Sequence, residues 1–102
     1  MTDFEFEWDP AKDAANHREH GVAFRVATQV FRDPFHTSEV DRIEGGEYRW
    51  KTVGCVNGTT FLLVAHTYRD GERNTVVRII SVRKASTQER KSYEHENRHL
   101  YI

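Results

Sequence analysis

The 102 residues contain one cysteine and two prolines. Cys55 has no second thiol for an internal disulfide, and it stands in an apolar run, so it reads as a buried structural group rather than a nucleophile. Long hydrophobic runs are missing too. None approaches the roughly 20 residues that span a bilayer, and the acidic opening MTDFEFEW has neither the basic nor the apolar part of a signal peptide. Disulfide scaffolds and membrane helices are thereby excluded, and a cytoplasmic protein is expected. With no linker, repeat or low-complexity stretch, residues 1–102 are expected to form one domain.

What is present is charge and aromatic area. Charged residues make up 30% of the chain, yet six Phe, four Tyr and two Trp supply enough apolar surface for a core. The net charge of -1 conceals an asymmetry: residues 1–51 hold seven Lys/Arg against eleven Asp/Glu, and residues 52–102 hold eight against five. A basic second half in a neutral chain directs attention there for a nucleic-acid or partner-binding face.

Periodicity and punctuation give the elements. Phe4, Phe6 and Trp8 alternate with Asp3, Glu5 and Glu7, the period of a strand with one buried face. Each proline follows an aspartate. Asp9-Pro10 opens a helix that Gly21 ends, and Asp33-Pro34 stops a second helix carrying the stripe Ala23, Val26, Ala27, Val30 and Phe31. Strands are expected at Phe35–Val40 (a short edge), Tyr48–Val56, Thr60–Arg69 and Thr75–Lys84, with Asn57-Gly58 as a type I′ hairpin turn. Ser86 and Glu89 form a capping box for a last helix in which Tyr93 is the only large apolar residue before His99, so that helix is expected to lie on the surface with little to anchor it. The fold class is α+β, in the order β-α-α-β-β-β(-β)-α, with a mainly antiparallel sheet.

His95-Glu96-Asn97-Arg98-His99 fits the H-E-x-x-H pattern of zinc peptidases, where two histidines one helical turn apart hold the metal. Only Leu100, Tyr101 and Ile102 follow, leaving no place downstream for a third ligand. The helix has no apolar face with which to be central. A solvated helix matching by accident is the better reading, and no metal or other cofactor is assigned. His17 and His20, three apart on the first helix, are discounted in the same way.

FEWDPAKDAANHREHGVAF, ATQVFRDP, EYRW, LLVAHTYRDG and RIISVRKASTQERKSYE, in that order, resemble the BrnT toxins of bacterial type II toxin–antitoxin pairs. The resemblance runs from Phe6 to about Glu94. Its most specific parts are WDPAK with Asn16, His20 and Gly21, and RIISVRKA followed by Glu89, Arg90 and Tyr93. Two departures stand out: Val82, where a small Ala is more usual, and the tail after Glu94. The resemblance implies a RelE-like fold, ribonuclease activity that inhibits translation, and neutralisation by a ribbon-helix-helix, BrnA-like antitoxin, with two toxins on one antitoxin dimer.

RNA cleavage without a metal needs a proton acceptor for the ribose 2′-OH, cations for the phosphorane-like transition state and a proton for the leaving oxygen. Arg69, Arg78, Arg83 and His66 are the catalytic candidates, and Lys12, His20 and Tyr93 the substrate-binding ones. Each has a plainer reading. The arginines suit salt-bridged strand ends, and His66 suits a core histidine. Lys12, Asn16 and His20 suit a polar stripe bonded to the next loop, and Tyr93 suits an anchor for its helix. Strict alternation along Thr75–Lys84 puts Arg78 and Arg83 on opposite faces, unless a bulge re-aims one. A nonenzymatic RNA- or protein-binding module would use the same basic surface.

Overall fold

The computed structural model describes residues 4–100, so Asp3 of the opening alternation lies outside the described residues. The elements are β1 (Phe4–Glu7), α1 (Pro10–His20), α2 (Phe24–Ala27) running into a 3-10 turn (Thr28–Arg32), β2 (Thr37–Glu44), β3 (Glu47–Val56), β4 (Thr60–Asp70), β5 (Thr75–Lys84) and α3 (Thr87–Glu96). The strands form one sheet in the spatial order β1-β5-β4-β3-β2. All neighbours are antiparallel except β1, which lies parallel to β5. The expected α+β class is the one observed. No helix among the described residues is long and apolar enough to cross a membrane.

Local chemistry sets the boundaries. The Asp9 carboxylate accepts from Ala11 N at 2.9 Å, Pro10 occupies the first turn, and Gly21 closes α1 with φ 74°. Asn57 and Gly58 have φ of 55° and 74°, as a type I′ turn requires. The expected second helix is shorter than its stripe suggested, because its second half tightens into the 3-10 turn. The first edge strand is longer than expected: Gly45 and Gly46, both with positive φ, make a second hairpin between β2 and β3.

The two faces of the sheet have different fates. On one, Phe24, Ala27, Val30 and Phe31 pack against Leu62, Val64, Val77, Ile79 and Val82, with Phe4, Phe6 and Trp8 at the margin. Gly54 lies beneath this layer. A Cβ there would meet Val30 Cγ1 at 2.7 Å and Val30 O at 2.9 Å, so only glycine lets the 3-10 turn approach β3. On the other face α3 covers one end, where Val53, Leu63 and Tyr93 form a smaller cluster with Phe61 and Ala85.

α3 is fixed more firmly than its composition predicts. The Tyr93 hydroxyl donates to Asp33 Oδ2 at 2.7 Å, and its ring meets Phe61 edge-on at 5.2 Å. Arg90 stacks over Phe61 at 4.3 Å. Buried Asn97 donates to Phe35 O and Tyr93 O, and Ser86 with Glu89 completes the capping box. The anchors are polar side chains, which an apolar stripe does not reveal. α3 ends at Glu96, so the helix that would set His95 and His99 one turn apart is not formed, and His95 Nε2 lies 3.2 Å from Arg98 instead.

Candidate functional site

Residues paired across neighbouring strands point to the same face, so the register locates every candidate. Thr67 pairs with Arg78, but Ala65 pairs with Ser81 while His66 pairs with Ile79, which leaves Ile80 as an extra residue in β5. This bulge shifts the alternation by one. Val82 therefore joins Val77 and Ile79 in the core, and Arg83 joins Arg78 on the opposite face. Strict alternation had separated the two arginines. Arg69, opposite Val76 and in step with Thr67, faces the same way.

The face holding these arginines is the one α3 covers only at its end. Its centre is a row of Lys51, Ala65 and Ser81, neighbours by register on β3, β4 and β5. The small side chains of Ala65 and Ser81 thus floor a shallow trough between Arg78 and Arg83. On one side stands Arg83 with Leu63 and Val53; on the other stands Arg78 with Thr67 and, across β1, Glu7. Arg69 Nε reaches Glu7 Oε1 at 2.8 Å and Arg78 Nη1 reaches Glu7 Oε2 at 3.9 Å. Two guanidiniums share one carboxylate. The hydrogen bond from Arg69, helped by the charges of both arginines, holds the Glu7 carboxyl below its ordinary pKa, so it is ionised at neutral pH.

Arg83 is held differently. Its Nη1 and Nη2 meet Glu89 Oε1 and Oε2 at 2.8 and 3.0 Å, a two-pronged pair that ties β5 to α3. The same bond lowers Glu89 to about 2 and raises Arg83. Both Arg78 and Arg83 keep more than two-fifths of their side-chain surface in solvent, at 47% and 42%. A phosphate arriving in the trough would therefore meet exposed guanidinium edges.

The other candidates are elsewhere. His66 is fully buried on the helix-packed face, with Phe31 edge-on at 5.0 Å and Nε2 at 2.6 Å from Thr52 Oγ1. Burial presses its pKa to about 4, so the ring is neutral. It is a core histidine, separated from the arginines by the sheet. Tyr93 is 4% exposed and serves as the anchor of α3, with no face open to a base. Lys12 is exposed on α1, and His20 pairs with Glu19 at 3.8 Å. Asn16 is structural: it donates to Val22 O and Val82 O at 2.9 Å and accepts from Val82 N at 3.1 Å. Its amide thus continues the ladder on the edge of β5 beyond the end of β1.

Glu7 and Lys51 were not among the sequence candidates. The alternation of β1 already turned Glu7 away from the core, and Lys51 breaks an apolar strand. What no local pattern supplied was the pairing of β1 with β5, which brings Glu7 to the arginines.

Comparisons to known proteins bear on the family and the fold. The family model for the BrnT ribonuclease toxins of type II toxin–antitoxin systems matches residues 8–89. The crystal structure of the Brucella abortus ribonuclease toxin BrnT is similar, with a TM-score of 0.59 and 23% identity over 83% of this chain and 100% of that one; at this identity the likeness shows the fold. Curated proteins gave no match. A family model spanning most of the sequence and a shared fold lead to one conclusion: this chain belongs to the BrnT family of type II toxin–antitoxin ribonuclease toxins.

Proposed function

We propose that the trough between Arg78 and Arg83 cleaves RNA without a metal ion, arresting translation and growth until an antitoxin covers it. The observation that supports this reading is the β5 bulge, which brings Arg83 to the face that Arg69 and Arg78 already share and that α3 covers only at one end. The ribose 2′-OH attacks the adjacent phosphorus, and the 5′-oxygen leaves with a proton drawn from solvent. In this reading Glu7, ionised beside Arg69 and Arg78, accepts the 2′ proton, and Arg78 and Arg83 stabilise the added negative charge of the phosphorane. Entry of the phosphate exchanges the guanidiniums' carboxylate partners for phosphate oxygens, so the resting ion pairs hold the arginines in position without burying them. The partner proposed is a ribbon-helix-helix, BrnA-like dimer carrying two toxins related by twofold symmetry.

The test is incubation of the purified protein with total RNA, with and without ribosomes, in excess chelator. Cleavage is expected there. Arg83→Ala should lower turnover by about 10² to 10³, and Arg83→Lys should restore part of it, since an ammonium lacks the guanidinium fork. RNA left intact until zinc or magnesium is added would overturn the metal-free mechanism. RNA that is bound but never cut would identify a binding module. Thermal melting of each variant separates lost chemistry from a lost β5–α3 tie.

A further inference from the structure

The cleft between α3 and the β2–β3 side of the trough has no part in the chemistry above. We propose that it is a subsite for one unpaired guanine base, belonging to the nucleotide whose phosphate lies at Arg83; this deepens the ribonuclease reading and rests on it.

The cleft encloses about 500 Å³, within the roughly 300–1,000 Å³ of small-molecule sites. Its floor is apolar: Val53 and Leu63 are register partners on β3 and β4, suited to the face of an aromatic ring. The next residue in that row is Arg83, so a base on Leu63 would leave its own phosphate beside the guanidinium. α3 supplies one wall through Gln88 and Ser92, a helical turn apart and both exposed. Lys51 and Glu39 supply the opposite wall, 3.2 Å from each other.

Charge decides the orientation and the base. Glu39 and Glu96 line the cleft with Lys51, and Glu89 at its rim is already neutralised by Arg83. Such a surface repels phosphate and attracts N–H groups. The phosphate thus belongs on the arginines, and the base edge belongs in the cleft. Guanine presents two parallel N–H donors that one carboxylate can accept together, beside a carbonyl oxygen to which an ammonium can donate. Cytosine and adenine offer an amino group without that pair, and uracil offers a single N–H. An unpaired, splayed base is required, because a duplex would not enter a cleft of this size.

Two measurements test the site, one of them independent of cleavage. In methyl NMR spectra of the intact protein, guanosine monophosphate should shift the Leu63 and Val53 methyls, whereas cytidine monophosphate and inorganic phosphate should not. Loss of the guanosine effect is expected in Glu39→Ala/Lys51→Ala. Equal shifts from both nucleotides, or none from either, would overturn the subsite whether or not the protein cuts RNA. In the second measurement, single-stranded oligonucleotides differing in one base beside the cut should show about tenfold higher kcat/KM for guanine. That preference should flatten in the double variant. An unchanged preference would also overturn the proposal. Specific guanosine shifts without cleavage of any RNA would uphold the subsite and reject the ribonuclease mechanism instead.

Discussion

At the scale of single residues, neighbours of one sequence segment serve opposite purposes. His66 and Arg69 lie three positions apart on β4, yet one is in the core and the other in solvent. The histidine therefore reports on folding. Burial holds its folded pKa near 4, while an unfolded histidine titrates near 6.5. Between those values the unfolded chain binds the additional proton. The stabilisation is complete above about pH 6.5 and declines as pH falls towards 4, by on the order of 3 kcal/mol. Urea unfolding midpoints measured across this range should fall accordingly in the wild type and remain flatter in His66→Asn. Equal slopes in both would show that another group carries the acid sensitivity. Cys55 is half-buried rather than buried as its apolar run suggested; partial burial and the nearby Asp33 charge raise its thiol above the ordinary range, which fits an unreactive group.

At the scale of elements, the decisive features are a bulge and an amide. β1 ends at Glu7 while β5 continues to Lys84, so the outer edge of β5 would be open had Asn16 not bonded both backbone groups of Val82. Asn16→Ala should cost about 1–3 kcal/mol for each Val82 group left without a partner, read as a lower melting temperature. A melting temperature within experimental error of wild type would show that water takes over the bonds. The elements themselves were legible because their signals are local: Asp9-Pro10, Asn57-Gly58 and the Ser86/Glu89 box each act within a few residues. The site was legible only in part. Arg69, Arg78 and Arg83 could be chosen by type, but their common face depends on the extra Ile80, which is set by the β4–β5 pairing and the packing of Val82. The anchoring of α3 escaped for a similar reason. Asp33, Phe35 and Phe61, which hold Tyr93 and Asn97, are distant in sequence.

At the scale of the whole molecule, α1, α2 and the 3-10 turn occupy one side of the sheet and leave the arginine side available to RNA or to a blocking partner. An inhibitor acting by occlusion must bury the trough, over an interface of at least about 1,000 Å². Hydrogen exchange with and without the product of a neighbouring antitoxin gene should show protection within Thr60–Tyr93. Protection confined to α1 and α2 would require inhibition at a distance. The firm seating of α3 favours covering over displacement, since displacement would break the Tyr93–Asp33 and Arg83–Glu89 bonds together. The parallel pairing of β1 with β5 also bears on the order of folding. Glu7 and Arg78 lie near opposite ends of the folded sheet's sequence of strands, so their meeting closes a long loop at an entropic cost that the hairpins do not carry. The arginine face is therefore expected to be completed late in folding, after the β3–β4 and β4–β5 hairpins, and until β1 docks Arg69 and Arg78 lack the carboxylate that orders them.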